Sequence, residues 1–130
     1  MTEISADMMP FANTMGIDIV EASPQRVAGR LLVRPDLCTL GGTLHGGAIM
    51  AFADALGAIG AFLSLPEGAR GTTTLESKTN FLGGAKAGTT VSAQSTPVHR
   101  GKRTSVWQTE IISEDGKPVA LVIQTQLVLS

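Results

Sequence analysis

The chain has 130 residues, 43% hydrophobic and 16% charged, the composition of one globular domain rather than a disordered segment. Ten basic residues face eleven acidic ones, a near-balance that argues against a broad nucleic-acid or membrane footprint. One cysteine, Cys38, excludes a disulfide within the chain and favours a reducing compartment, which places the protein in the cytoplasm.

The start Met1-Thr2-Glu3-Ile4-Ser5-Ala6-Asp7 is polar and lacks the basic-then-apolar pattern of a secretory signal. Residues 4–15 read as a short helix broken near Pro10, with Met8, Phe11 and Met15 as its apolar face. It serves either as a packing segment or as a lid over a ligand. Residues 17–22 and 27–33 read as strands, separated by Ser23-Pro24-Gln25-Arg26, which has turn chemistry. Pro35 ends the second strand, and Gly41-Gly42 suits the following loop to unusual backbone angles.

A helix is expected from Gly46 to about Leu65, with apolar groups nearly all round it. Such a cylinder must be wrapped by other structure. Asp54 stands in its middle, a costly position for a bilayer-spanning helix, so a helix buried in protein is expected. Residues 72–82, 89–98, 103–113 and 119–129 read as strands, with Gly83-Gly84 turning the chain after the first of them. Asp115-Gly116 supplies a strong hairpin signal. Short connections predict antiparallel pairing, and one sheet curled round one apolar helix is an α+β fold. The far face of that sheet carries many Val and Thr side chains, which oligomerisation would cover.

The chemistry concentrates between Thr43 and Asp54. The amides that open a helix have no intrahelical acceptor and sit at the positive end of its dipole. Gly46 and Gly47 can therefore polarise a carbonyl that is becoming an oxyanion, with His45 orienting the site. Asp54, eight residues beyond Gly46, lies roughly 12 Å further along the axis. One helix cannot bring both groups to one carbon. Two antiparallel helices from two subunits can, so a dimer is predicted if both act together. The alternative is a buried Asp54 satisfied by a neighbouring amide.

The run Leu44-His45-Gly46-Gly47-Ala48 followed by Ala53-Asp54 closely resembles the hotdog-fold acyl-CoA thioesterases, in the PaaI-like branch of the 4-hydroxybenzoyl-CoA thioesterase superfamily. The resemblance continues through Asn80-Phe81-Leu82, His99-Arg100-Gly101-Lys102-Arg103-Thr104 and Asp115-Gly116-Lys117, and covers roughly residues 15–129. It implies a single hotdog domain over residues 1–130, with a helix wrapped by a five- or six-stranded antiparallel sheet. It also implies dimers, often paired into tetramers. The Gly46 amide would polarise the thioester carbonyl, and Asp54 of the other subunit would attack that carbon or activate water. His45 would assist binding, and Thr74 matches a hydroxyl that positions the nucleophile. Gly47, Thr39, Phe81 and Thr104 would line the substrate path. Arg100, Lys102 and Arg103 form either a solvated turn or a clamp for the nucleotide phosphates of coenzyme A. Two departures stand out. Thr39 occupies a position where relatives often carry Asn or Gln, and Gly83-Gly84 stand where Arg-Pro is common.

The expected reaction is hydrolysis of an aryl or medium-chain acyl-CoA to free acid and coenzyme A, with no metal or organic cofactor. The rival readings are a non-catalytic acyl-CoA or aryl-ligand binding protein and an enoyl-CoA hydratase. Two histidines and no cysteine pair offer no metal-ligand spacing.

Overall fold

The computed structural model describes residues 4–130; residues 1–3, which begin the expected helical segment, lie outside the described residues. A 3-10 turn, Ala6–Met8, leads to a short helix α1, Pro10–Met15. Pro10 opens this helix instead of breaking one: at the first helical position its missing N–H is not needed and its φ is preset. The expected apolar face is corrected as well. Ala12 and Met15 are buried, but Met8 is 62% and Phe11 68% exposed. Positions 12 and 15 lie three apart and share a line on so short a helix. Met8 precedes it, and Phe11 projects to one side.

Six strands follow the expected order: β1 Asp18–Ala22, β2 Val27–Leu32, β3 Gly71–Phe81, β4 Thr90–Arg100, β5 Thr104–Ile112 and β6 Pro118–Leu129. They form one antiparallel sheet in the order β1-β2-β4-β5-β6-β3. The β5–β6 hairpin closes on Asp115-Gly116, where Gly116 takes a φ of 83° that a side chain would resist. The glycine pair after β3 behaves differently from expectation. Gly83-Gly84 do not make a hairpin to the next strand. Leu82 and Gly83 both donate to the Val119 carbonyl, at 2.8 and 3.2 Å, which fastens the end of β3 to the start of β6. The chain then crosses the end of the sheet to β4.

The long helix α2 spans Gly46–Leu63 and ends with Ser64 as its C-cap, two residues short of the expected Leu65. Its inner face carries Ile49, Phe52, Leu56 and Ile59, which pack with Leu31, Val91, Ile111 and Val122 in one core. Burying each of these large side chains contributes about 1.5–3 kcal/mol. Close approach depends on small helix residues. A Cβ at Gly60 would lie 2.5 Å from the Trp107 ring, and Trp107 is fully buried with its Nε1–H donating to Ser105 Oγ at 3.0 Å.

The sheet wraps α2 as expected, from one side. Gly47, Ala51, Asp54, Ala58 and Phe62 remain partly or fully exposed, and their spacing of three and four puts them on one line of the helix. By length and composition α2 could cross a bilayer, yet half of it is buried inside the molecule, which is the position of a core helix.

Candidate active site

His45 caps the N-terminus of α2. Its backbone is extended, with φ −63° and ψ 138°, and its Nδ1 accepts from the Gly47 amide at 2.8 Å. In a neutral imidazole that leaves the proton on Nε2, so the exposed ring presents a donor. The backbone carbonyl of His45 accepts from Ala48 and Ile49 at 2.9 and 3.0 Å. Gly46 N–H has no acceptor among the described residues. It is therefore the amide left over at the positive end of the helix. The Phe81 ring lies over it: a Cβ at residue 46 would sit 3.2 Å from that ring. The structure thus brings Phe81, at the end of β3, onto the glycine that opens α2.

The turn before His45 begins with Thr39, whose amide donates to the Thr43 carbonyl at 2.8 Å. Gly41 and Gly42 take φ values of +88° and +74°, as the sequence requires of this loop. Thr39 is exposed, and its hydroxyl makes no hydrogen bond among the described residues.

Asp54 is half-buried on the uncovered line of α2. Its Oδ1 accepts from Thr74 Oγ1 at 2.8 Å and from Gln124 Nε2 at 3.3 Å. Thr74 in turn accepts from Gln126 Nε2 at 2.6 Å, and Gln126 Oε1 accepts from Thr72 Oγ1 at 3.0 Å. Oδ2 has no partner among the described residues. Thr74 reaches Asp54 because of a bulge. The β3–β6 register shifts between Thr74 and Glu76, so Thr72 and Thr74 face inward before it and Ser77 and Thr79 after it. Simple alternation would have set Leu75 and Phe81 on one face with Ser77 and Thr79. The bulge instead takes Leu75 off that face and leaves it 56% exposed, whereas Phe81 stays in line with Ser77 and Thr79 and meets Gly46 at the end of the strand.

The two centres open into different clefts. A cleft of about 360 Å³ is bordered by His45, Gly47, Cys38 and Arg34. Another of about 340 Å³ is bordered by Asp54, Ala51, Ala55 and Pro10. They meet at Phe11 and Met15 of α1, which border both. Arg34 holds α1 in this place: it donates to the Met15 and Thr14 carbonyls at 2.9 and 3.1 Å and to Asp36 at 3.0 Å. The hydrogen bond from Arg34, with the attraction of its charge, holds the Asp36 carboxyl below its ordinary range.

The basic connection lies at the Asp54 end of the sheet. Ser105 pairs with Gln126, which pairs with Thr74. Phe81 pairs instead with Ala120, seven residues and roughly 23 Å along β6 from the Leu127 that faces Thr104. Arg100 is partly committed elsewhere, donating from Nη2 to the Pro24 carbonyl at 2.6 Å. Lys102 and Arg103 are exposed, and neither forms a salt bridge among the described residues. Gln124 and Gln126 are what the sequence reading missed. Their only signal was two long amides at inward-facing positions of an otherwise apolar strand.

A single helix half-wrapped by a six-stranded antiparallel sheet, with a helix-borne carboxylate and an unused amide at the helix start, defines a hotdog-fold hydrolase. Residues 41–120 match the family model of the thioesterase superfamily, and the chain belongs to that superfamily, among its PaaI-like members. The 1,4-dihydroxy-2-naphthoyl-CoA hydrolase of Escherichia coli is 37% identical over 76 residues, 58% of this chain and 54% of that protein. A mutant form of the phenylacetic acid degradation protein PaaI from Thermus thermophilus superposes with a TM-score of 0.84 at 30% identity, covering 92% of this chain and 99% of that one. A thioesterase of Haemophilus influenzae superposes with a TM-score of 0.87 at 25% identity, covering 100% and 93%.

Proposed function

We propose that the chain hydrolyses an acyl-CoA thioester to a free carboxylic acid and coenzyme A, at a site shared by two antiparallel copies of α2. The observation that carries this reading is the uncovered line of that helix. It holds Asp54 among small and apolar residues, whereas the free Gly46 amide stands two turns away, between His45 and Gly47, which border a different cleft. A second copy laid head to tail covers the line and brings its own Gly46 to this Asp54. The basic connection then accompanies Asp54, so one chain supplies the carboxylate with Lys102 and Arg103, and the other supplies His45, Gly46 and Phe81.

At such a site the thioester oxygen accepts from the Gly46 amide, and the helix dipole stabilises the oxyanion as it forms. The free Oδ2 of Asp54 either takes a proton from the attacking water or attacks the carbonyl carbon itself. Collapse of the tetrahedral intermediate expels the thiolate of coenzyme A, which is then protonated. If Asp54 is the nucleophile, the resulting mixed anhydride is hydrolysed in a second step. The His45 Nε2–H is placed to bind the thioester. Lys102 and Arg103 hold the phosphates, and Phe11 and Met15 offer apolar walls to an aryl or medium aliphatic acyl group. Two sites per dimer follow from the two-fold symmetry, and the Val- and Thr-rich outer sheet face is available for pairing dimers into a tetramer.

The test is thiol release from a panel of aryl and medium-chain acyl-CoAs. Asp54→Asn is expected to lower kcat by about 10²–10⁴-fold, the usual worth of a positioned acid–base group. Wild-type turnover by that variant would overturn the reading.

A further inference from the structure

The Asp54 network contains more than the proposed reaction uses. Gln124 and Gln126 are both fully buried on β6, beside Val119 and Val122. A buried amide is costly unless it is hydrogen-bonded, so two of them in a core strand need a purpose.

Each hydrogen bond in the network has a direction. Gln126 Nε2 donates to Thr74 Oγ1, so the single hydroxyl proton of Thr74 is free to point at Asp54 Oδ1. Thr72 Oγ1 lies 3.0 Å from Gln126 Oε1 and equally from the Leu127 carbonyl, so its one proton serves either the other end of the Gln126 amide or the strand. Gln124 adds a second donor to the same oxygen. Reversing its amide would set Oε1 against the carboxylate, so the carboxylate fixes the orientation seen. In that orientation Gln124 Oε1 is buried with no partner among the described residues. The helix makes room for it. A Cβ at Gly57 would lie 2.3 Å from Gln124 Oε1 and 2.7 Å from its Nε2, so only glycine at that position of α2 admits the amide.

We propose that Gln124 and Gln126 are positioning residues for Asp54. Gln124 binds Oδ1 directly and Gln126 acts through Thr74. Together they lock the carboxylate in one rotamer and leave Oδ2 as its only reactive oxygen. This rests on the reading of Asp54 given above.

Steady-state kinetics with benzoyl-CoA and hexanoyl-CoA test it. Gln124→Met and Gln126→Met keep the side-chain length and remove the donor. Each is expected to lower kcat about 10- to 100-fold with KM within about twofold of wild type, as for an interaction that matters only in the transition state. The Gln124→Met thermal midpoint should equal or exceed that of wild type, because its unpaired acceptor is gone. Placed in the Asp54→Asn background, neither change should lower the residual rate further. Wild-type kcat in both folded methionine variants overturns the inference, as do losses that multiply fully with Asp54→Asn. Should one variant fail to fold, the other decides. Loss of activity in Asp54→Asn alone sinks only this inference, whereas wild-type activity in Asp54→Asn sinks the functional reading beneath it.

Discussion

At the scale of single residues, the site turns on which polar atoms are already taken. Oδ1 of Asp54 has two donors and Oδ2 none among the described residues. The Gly47 amide is taken by its own N-cap and the Gly46 amide is left over. That difference between adjacent glycines gives a sharp test of the carbonyl-binding role. In Gly46→Pro the donor disappears, yet the helix should survive. Proline is favoured at the first helical position, and the extended His45 backbone is what a residue before proline requires. The Phe81 ring must shift by a few tenths of an ångström, which its exposure permits. The expected result is a kcat lower by about 10²–10³-fold, the usual cost of losing one oxyanion donor, with the far-ultraviolet circular dichroism of wild type. Unchanged turnover by the folded variant would show that another group holds the carbonyl.

At the scale of elements, one bulge and one arginine determine what the site looks like. The bulge at Leu75 turns the hydroxyl of Thr74 toward α2, and α1 is held over both clefts by the burial of Ala12 and Met15 and by Arg34. A cation at a helix C-terminus satisfies carbonyls that have no other donor, and Asp36 steadies that cation. Because the folded pKa of Asp36 is depressed, its contribution to stability is fully present above the ordinary carboxylate value of 3.8 and is lost as the pH falls through the depressed value. Asp36 is fully exposed, so the effect is small. Asp36→Asn is accordingly expected to melt slightly below wild type at pH 7, with the gap closing as the pH is lowered below 4. A thermal-melt series across that range checks it, and a gap independent of pH would remove Asp36 from the clasp.

At the scale of the whole molecule, the proposed site belongs to neither chain alone, and genetic complementation can detect this. Asp54→Asn and Gly46→Pro are each expected to be nearly inactive. Unfolded together and refolded, they form mixed dimers in which one of the two sites keeps both wild-type groups. Activity should then return to about a quarter of the wild-type rate per chain, because half the dimers are mixed and each has one intact site. No recovery despite mixed dimers shown by native mass spectrometry would mean that Asp54 and Gly46 act within one chain or not together.

The sequence was sufficient for the elements and for the motif. Strand spacing, turn residues and the apolar run of α2 follow from local periodicity and turn chemistry, and the unusual His45-Gly46-Gly47 and Asp54 pattern marked the chemical segment. Other features needed tertiary contacts. The pairing of β3 with β6 is a long-range choice that Gly83-Gly84 do not encode, and the bulge that aims Thr74 depends on that pairing. Gln124 and Gln126 looked like two polar residues on a strand until the sheet curled and set them under α2. The uncovered face of α2 was also hidden, since an all-apolar helix reads the same whether its own sheet or another molecule covers it. Periodicity reports which way a side chain points along its own element, whereas what it meets there is decided by other elements, 20 residues away for Asp54 and Thr74 and 70 for Asp54 and Gln124.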